Sequence, residues 1–399
     1  MEDHASRLRP SGRELVDLLE SAGRVLAESV AADRDFPPFP RATRDGFALR
    51  SADVQQLPAR LKVVGEIKAG ASREESSLQV GAGEAVSIMT GAPAPPGADA
   101  VVMVEYTSRH DDMVEVARAV TSGENIVPPG AEARRGERLL APGHYLDHAA
   151  IALAASVGRV HLLVHASPRV SVLSTGDEIV DIDVPPGPNQ IRNSNSYSLA
   201  AQIKRAGGEP NLLPIAPDEP VRLRELMTDG MDADLLLLTG GVSMGKYDLV
   251  EQVLREFNAE FFFTGALIQP GRPIVFGRIP PVQSNTRALY FLGLPGNPVS
   301  TMVTFELFAR PLVEALAGMP LRKLVFLHAR LKTEIRTKTG LTRFLPAVLA
   351  GELADATVEL AGWQGSGDIA SVARSNCYAV IPPDRDRIPE GEWIAILMK

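Results

Sequence analysis

The feature that most constrains the fold is an alternation of apolar strands with helical segments between residues 168 and 318. The strand candidates are short, bounded apolar runs, namely Arg169–Ser174, Asp234–Leu238 and Leu289–Leu294. The helical patterns lie at Ser196–Ala206, Tyr247–Phe257 and Pro298–Leu316. Strands that alternate with helices predict a mainly parallel sheet that helices cover on both faces.

The segments on either side of this region have different patterns. Apolar residues recur at helical spacing after Ser11, which predicts an amphipathic helix capped by Ser11 and ending near Val30. Short β-type runs follow at Leu61–Ile67, Glu84–Met89, Ala100–Tyr106 and Met113–Val120. A second helix is predicted over Asp147–Val157, so the β-rich part reads as an insertion into a helical unit.

Beyond Met319 the predicted strands are short and separated by Gly, Asp and Pro. They include Leu324–Leu331, Thr357–Leu360 and Trp393–Leu397. This pattern predicts a compact C-terminal β domain. The whole chain is therefore expected to be an α/β multidomain protein.

Composition excludes several classes of function. The 399 residues carry a formal net charge of −8 and no concentrated basic stretch, which argues against nucleic acid as a partner. The single cysteine, Cys377, excludes an intrachain disulfide and a cysteine-based zinc site. No segment has the apolar length of a membrane span, and Met1–Pro10 lacks the apolar core of a secretion signal. We therefore expect a cytoplasmic protein without membrane partners.

Glycine-rich loops follow the three predicted strands of the α/β region. They are Ser174–Glu178, Thr239–Gly245 and Leu294–Pro298. In an open parallel sheet the carboxyl ends of the strands line the ligand crevice, and glycines let backbone N–H groups approach an anion. A single loop of this kind is more often a turn that closes a βα unit. Three such loops that converge at one edge of the sheet favour a cradle for phosphate or another oxyanion.

Four carboxylates accompany these loops: Asp177, Glu178, Asp218 and Asp248. Oxygen ligands of this type, together with substrate phosphate, are the usual ligands of Mg²⁺. The alternative, which the sequence leaves open, is that the aspartates cap helices. His144 and His148 are four residues apart but have no third ligand within reach, so a solvated helix face explains them better than a metal site.

Several motifs, taken in order, resemble the molybdopterin molybdotransferase family, which includes bacterial MoeA, its plant homologue and the E domain of gephyrin. The motifs in the N-terminal part are Pro37-Pro38-Phe39, Arg44-Asp45-Gly46-Phe47-Ala48 and Ile88-Met89-Thr90-Gly91-Ala92-Pro93. Those in the α/β region are the three loops above, Gly240-Gly241-Val242-Ser243-Met244-Gly245 among them, with Pro270-Gly271-Arg272-Pro273. Trp363-Gln364-Gly365-Ser366-Gly367 lies near the C-terminus. Each motif alone is weak, but the ordered set is specific.

The resemblance implies four domains and a homodimer. Domain I, a helical domain, would comprise residues 1–48 and 138–166, interrupted by β-rich domain II at 49–137. The molybdopterin-binding α/β domain III would span 167–318, and a β-barrel-like domain IV would span 319–399. The active cleft would lie between domain III of one subunit and domain II of the other, so Asp45 and Thr90 would act across the interface.

The resemblance also implies a reaction. Adenylylated molybdopterin and molybdate are the substrates, the dithiolene captures molybdenum, and AMP leaves with the help of Mg²⁺. The preceding adenylyltransferase and recipient molybdoenzymes are the implied protein partners.

Residue roles carry over by motif position. The catalytic carboxylates would be Asp45, Glu178, Asp218 and Asp248, of which Asp218 and Asp248 would hold the metal. The substrate would be bound by Thr90, Thr175, Gly176, Asp177, Gly240, Gly241, Ser243, Gly245, Arg272, Pro295, Gly296, Asn297, Pro298, Ser300 and Ser366.

The chain also departs from the family pattern. Gly265 and Gln269 stand where many members have lysines, and Val127 stands where an arginine is usual. Arg272 and Lys246 are candidates for substitute charge. These changes keep two alternatives open beside the active transferase: a non-catalytic molybdopterin-binding or scaffold paralogue, and, more distantly, an adenylyltransferase.

Overall fold

The computed structural model describes residues 2–72, 74, 77–241, 249–281 and 287–399. The chain forms two compact units. The first comprises Met1–Ala27, Gly143–Asp147 and His161–Lys399, and the second comprises Glu28–Pro142 and His148–Val160. Within the described residues, no helix has both the length and the apolar character that crossing a membrane requires.

The N-terminal segment contains a short helix, α1 (Glu2–Ala5), and a strand, β1 (Arg13–Asp17). The helix predicted from Ser11 to Val30 is wrong. β1 pairs antiparallel with His161–His165 along its whole length, and turns follow it. Leu15 and Leu19 are 67% and 81% exposed, so the periodic leucines do not line one buried face. Pairing with a distant strand has overridden the local helical pattern.

The elements of the second unit are β2 (Val30–Ala31), β3 (Arg41–Ala42), β4 (Gly46–Leu49), β5 (Ala59–Ile67), β6 (Glu84–Ile88), β7 (Ala100–Met103), β8 (Thr107–His110), β9 (Met113–Val116), β10 (Ile126–Val127), β11 (Arg138–Leu140) and α2 (His148–Ser156). Six of the strands form one sheet with the order β7-β4-β6-β5-β9-β8. Buried side chains cover both faces of the sheet: Leu49 and Val102 on one, Ala48 and Val101 on the other. The predicted β-runs and the helix after Asp147 are confirmed, with boundaries shifted by a few residues.

The first unit continues with β12 (His161–His165), the partner of β1, and then enters the α/β region. Its strands are β13 (Arg169–Ser174), β14 (Ile179–Val180), β15 (Ile191–Arg192), β16 (Glu209–Leu212), β17 (Leu235–Thr239), β18 (Glu260–Phe263), β19 (Ile268–Gln269), β20 (Val275–Ile279) and β21 (Leu289–Leu294). Its helices are α3 (Ser194–Arg205), α4 (Pro220–Gly230), α5 (Leu249–Glu256), α6 (Pro298–Thr304) and α7 (Arg310–Leu316), with a π-helical stretch, Phe305–Ala309, between the last two.

The central sheet has the order β16-β13-β17-β21-β20-β18. Its first four strands are parallel, as predicted, whereas β20 and β18 are antiparallel strands that the alternation pattern did not indicate. Successive leucines of β17 are fully buried and point to opposite faces. Leu235 and Leu237 pack with α3 and α7, and Leu236 and Leu238 pack with α4 and α5. Helices therefore cover both faces of the sheet.

The C-terminal part folds into a small closed barrel. Its elements are β22 (Phe326–Leu331), β23 (Ile335–Arg336), β24 (Thr342–Ala350), β25 (Thr357–Leu360), α8 (Ile369–Arg374), β26 (Cys377–Ile381), β27 (Arg387–Ile388) and β28 (Trp393–Met398). The order β24-β25-β22-β28-β26 closes into a ring because β26 also pairs with β24. The barrel packs on α6 through a cluster that includes Val299, Phe344 and Tyr378. The C-terminal β domain is thus confirmed.

Candidate active site

The three glycine-rich loops meet at one edge of the central sheet. β13, β17 and β21 are adjacent and parallel, so their carboxyl ends lie side by side. The backbone N–H of Thr175 donates to the carbonyl of Thr239 at 2.9 Å, which joins the first two loops beyond the strand ends. The convergence that the sequence predicted is present in the fold.

Glycines make this close approach possible. Gly240 has φ +88°, and a Cβ atom there would lie 2.4 Å from the carbonyl oxygen of Thr175. A Cβ atom on Gly296 would come within 3.5 Å of the Gly240 Cα atom. A side chain at position 240 would therefore force the first two loops apart, and the third loop lies directly against them.

Asn195 joins the second and third loops and was not singled out from the sequence. Its side chain is 6% exposed, and Nδ2 donates to the Gly296 carbonyl at 2.7 Å and to the Thr239 hydroxyl at 3.3 Å. A carbonyl can only accept, so the bond to Gly296 establishes which end of the amide points to it. The available signal was the pair Asn193 and Asn195 at the start of a predicted helix, where Asn193 caps α3 by accepting from the Ser196 N–H.

Asp218 lies close to two acidic residues of the first loop, Asp177 and Glu178. The Asp218 N–H donates to Asp177 Oδ1 at 3.0 Å. Burial, followed by repulsion from the Asp177 and Glu178 carboxylates, raises the pKa of Asp218. The N-cap of α4 is Glu219, whose side chain makes no capping bond, so Asp218 does not cap this helix. The helix-capping alternative therefore finds no support at Asp177 or Asp218.

These carboxylates do not by themselves form a metal centre. Across the part of the chain that the structure describes, no group of three His, Cys, Asp or Glu side chains has an arrangement that could hold a metal ion. Ser243, Gly245, Lys246 and Asp248 lie outside the described residues. Asp248 as a second metal ligand stays a prediction.

The C-terminal part of the chain contacts the candidate site at the start of α6. Asn297 is the N-cap residue and Pro298 occupies the first turn. The Val299 N–H donates to the Ser366 carbonyl at 3.0 Å, so the predicted C-terminal motif lies against this helix start. Ser300 is 4% exposed, and the Thr301 hydroxyl donates to the Pro295 carbonyl at 2.5 Å, which holds the third loop on the helix.

The loop that carries Arg272 also packs on α6. A Cβ atom on Gly271, which has φ +106°, would lie 2.4 Å from Thr304 Cγ2 and 3.7 Å from the Ser300 carbonyl. Arg272 itself is exposed. Among the described residues no carboxylate forms an ion pair with its guanidinium. The Arg272 guanidinium is therefore not engaged by a carboxylate in the described part of the chain and is available to an anionic ligand.

The second unit holds a separate polar pair. The backbone N–H and the hydroxyl of Thr90 both donate to Asp45 Oδ1, at 2.6 and 2.8 Å. These two bonds, the backbone one foremost, lower the pKa of Asp45. The residue after Asp45 is a glycine, and any side chain there would clash, because a Cβ atom on Gly46 would lie 1.9 Å from the carbonyl oxygen of Val102 in β7. The structure thus joins two residues that are distant in sequence and that lie in two separate motifs of the N-terminal part.

A cavity of about 1170 Å³ lies at the opposite edge of the central sheet, beside the amino ends of β13, β17 and β21. Its wall includes Arg169, Asp234 and Tyr290. Asp234 accepts from the Ser11 hydroxyl at 2.6 Å and from the Arg169 N–H at 2.8 Å, so its carboxylate joins the N-terminal segment to β13. The convergent loops, and not this cavity, carry the predicted chemistry.

Comparison with known proteins identifies the family. Three family models match in succession: the MoeA N-terminal region (domain I and II) at residues 1–158, a probable molybdopterin binding domain at 171–315, and the MoeA C-terminal region (domain IV) at 328–398. A protein from Nostoc sp. named molybdopterin molybdenumtransferase is 35% identical over 96% of this chain and 88% of its own length. The chain belongs to the MoeA family.

Further MoeA relatives agree with this assignment. A molybdopterin molybdenumtransferase from Synechococcus elongatus is 35% identical over 97% of this chain and 94% of its own length. The crystal structure of a molybdopterin biosynthesis MoeA protein from Pyrococcus horikoshii has a TM-score of 0.79 and 29% identity, and the match covers 98% of this chain and 96% of that one. The MoeA fold therefore extends over nearly the whole chain.

Proposed function

We propose that the protein is a molybdopterin molybdenumtransferase that inserts molybdate into adenylylated molybdopterin with release of AMP. The observation that carries the proposal is the convergence of three glycine-rich loops at adjacent strand ends, in a chain that aligns with MoeA relatives over nearly its full length. Such an edge is where open α/β sheets bind their ligands.

The main task of the protein in this reaction is electrostatic. It must hold a molybdate dianion close to an anionic pterin nucleotide, which requires donors and positive charge to offset their repulsion. The start of α6, with the loop from Pro295 to Pro298 and the buried Ser300, supplies donors on one side. Arg272, on the loop that packs against α6, supplies charge. Asn195 acts as a positioning residue because it ties Thr239 to Gly296.

The acidic cluster suits a divalent cation. Its ligand atoms are hard oxygens. The pKa of Asp218 is raised first by burial and then by repulsion from the Asp177 and Glu178 carboxylates, and a bound cation would relieve that repulsion. Mg²⁺ commonly uses only one or two protein carboxylates together with substrate phosphates and water, so a complete set of three protein ligands is not required. Asp218, with Asp177 or Glu178 beside it and Asp248 as the predicted second ligand, would hold Mg²⁺. When bound, Mg²⁺ would neutralise charge on the adenylyl phosphate.

Assembly is part of the same proposal. We propose a cytoplasmic homodimer in which the Asp45–Thr90 pair of one subunit completes the cleft of the other, with the domain boundaries predicted from the sequence. The low pKa of Asp45 keeps its carboxylate ionised at neutral pH, which suits a role as a hydrogen-bond acceptor. A preceding adenylyltransferase would supply the substrate, and molybdoenzymes would receive the product.

The test is reconstitution. Purified protein is incubated with adenylylated molybdopterin, molybdate and Mg²⁺, and the product is scored by reactivation of an apo-molybdoenzyme. We expect reactivation and stoichiometric AMP release from the parent chain, and neither from Asp248→Asn. If the parent binds the pterin nucleotide without turnover while an active relative succeeds in parallel, the transferase assignment fails and the non-catalytic reading replaces it.

A further inference from the structure

The cavity at the amino ends of β13, β17 and β21 has a cationic wall. Four arginines from three distant segments of the chain line it: Arg7, Arg9, Arg169 and Arg287. Two aspartates line it as well, so the wall carries more positive than negative charge. The chain as a whole has a formal net charge of −8, which this cavity does not share. A cavity lined mainly by one sign of charge attracts ligands of the opposite sign.

The two aspartates, Asp232 and Asp234, offset only part of this positive charge. Asp234 accepts from the Ser11 hydroxyl and from the backbone N–H of Arg169, both of which are neutral donors. Asp232 pairs with the Arg169 guanidinium at 3.2 Å, but its side chain is 96% exposed, and exposed pairs are weak. No carboxylate of the described residues forms an ion pair with the arginines at positions 7 and 9.

The segment that carries these two arginines is fixed to the sheet at both of its ends. It is the α1–β1 connection, residues 6–12. Before it, the His4 ring of α1 stacks on Phe262 of β18, with ring centroids 4.0 Å apart. Near its other end, the Ser11 hydroxyl donates to Asp234 at 2.6 Å. The connection is therefore held at the cavity by contacts that do not involve its arginines.

The Arg9 guanidinium is also oriented by its own backbone. Its Nη1 donates to the carbonyls of Ser6 and Leu8, at 3.1 and 2.8 Å. A guanidinium has five N–H donors, so these two bonds leave others for a ligand. Because both acceptors are neutral carbonyls, the positive charge of Arg9 is not cancelled by them.

The rest of the cavity suits a flat apolar group. Its wall includes Leu8, Phe257 and Tyr290, and all three side chains are half-buried. Aromatic rings that are partly open to a cavity are the usual stacking partners of nucleic-acid bases. The volume of about 1170 Å³ is large enough for a nucleotide, because pockets for small molecules are usually about 300–1,000 Å³.

We propose that this cavity is a binding site for a nucleoside polyphosphate, with the phosphates on the arginines and the base against the aromatic wall. Guanidinium suits the phosphates because its planar fork can donate two parallel hydrogen bonds to their oxygens. The site lies at the opposite edge of the central sheet from the glycine-rich loops. The inference does not depend on the proposed transferase activity.

Calorimetric titration of the full chain with ATP, in magnesium-free buffer, provides the first test. The double variant Arg7→Gln with Arg9→Gln should have a Kd for ATP about tenfold to hundredfold above that of the parent, because it loses charge-assisted bonds. Both arginines are exposed, so the fold should be kept, and circular dichroism checks this. Arg13→Gln is the matched control, since Arg13 is an exposed arginine of the same segment that does not line the cavity.

Two further titrations test the charge balance and the base. Asp232→Asn should bind ATP more tightly than the parent, by up to about fivefold, because it removes a negative charge and releases Arg169 from its ion pair. A misfolded variant would not gain affinity in this way. Inorganic tripolyphosphate should bind the parent about fivefold or more weakly than ATP, because it has no base to stack on the aromatic wall.

Trypsin cleavage after Arg7 tests where ATP binds. Saturating ATP should slow this cleavage several-fold relative to cleavage elsewhere in the parent chain, because the bound phosphates would hold the α1–β1 connection. Arg169→Gln should lose this protection, since it removes the arginine that β13 contributes to the same cavity.

Equal affinity for ATP in the parent and in the folded double variant would overturn the proposal. The same conclusion would follow if Arg272→Gln, and not the double variant, lost affinity for ATP, since the nucleotide would then lie at the glycine-rich loops. Equal affinity for tripolyphosphate and ATP would also overturn it, because the aromatic wall would then bind no base.

Discussion

Removing both arginine partners of Glu306 should destabilise the protein more than neutralising Glu306 itself. The Glu306 side chain is 3% exposed and pairs with Arg205 at 2.6 Å and Arg310 at 3.2 Å. The Gln202 amide donates to the same carboxylate at 2.8 Å. The two arginine side chains remain 48% and 35% exposed, so the carboxylate alone is withdrawn from water. This network ties α3 to the helical segment that follows α6.

Because Glu306 is buried and its arginine partners are partly exposed, the two kinds of substitution should lower the free energy of unfolding by different amounts. In the double variant Arg205→Met with Arg310→Met, the Gln202 amide is the one partner that the buried carboxylate keeps among the described residues, and the free energy of unfolding should decrease by about 3–5 kcal/mol. Glu306→Gln removes the buried charge and keeps an acceptor for Gln202, while the arginines turn to solvent. Its loss should be on the order of 1 kcal/mol, the value of a typical hydrogen bond.

Urea unfolding followed by far-ultraviolet circular dichroism measures the difference. The control replaces the exposed pair Arg222 and Glu225 by Met and Gln, which should change stability by less than about 1 kcal/mol because exposed ion pairs contribute little. Equal unfolding midpoints for the double arginine variant and Glu306→Gln would refute the reasoning. They would mean that Glu306 is hydrated in solution or that its partners are dispensable.

Residues of the sheet and of the candidate site support three more predictions. Leu236→Ala should reduce the free energy of unfolding by about 2–5 kcal/mol because Leu236 is fully buried on β17, and a urea midpoint equal to the parent's would contradict this. The folded chain holds the Asp218 proton more tightly than the unfolded chain, because the pKa of Asp218 is raised, so stability decreases as pH rises through that pKa. In EDTA, Asp218→Asn should therefore be more stable than the parent at pH 7.5, with a gain that shrinks towards pH 4; a gain independent of pH would contradict a raised pKa of Asp218, whether from burial or from carboxylate repulsion. Thr90→Val should raise the pKa of Asp45 towards its usual value, as measured by carbon NMR, because it removes the hydroxyl donor. Thr90→Ser is the control for that measurement, and an unchanged pKa in Thr90→Val would show that the hydroxyl bond does not matter.

The sequence predicted the α/β region well and the N-terminal segment poorly. Strands β13 and β21 end at the predicted residues because a continuous apolar run followed by glycine is a strong local signal. The segment after Ser11 failed because the leucine spacing fits a helix, while β1 is stabilised by pairing with β12 far along the chain. The antiparallel strands β18 and β20 were missed for the same reason, since strand direction depends on neighbours and not on local pattern.

The sequence by itself determined the family, through its ordered motifs, and it also determined the three loops at the strand ends. Both kinds of feature consist of contiguous residues and can be recognised locally. Only the tertiary structure decided which distant groups join them. It brought the Asn195 side chain to Gly296 and the backbone carbonyl of Ser366 to the start of α6. These contacts depend on sheet order, barrel closure and the packing of the barrel on α6, none of which leaves a local trace in the sequence.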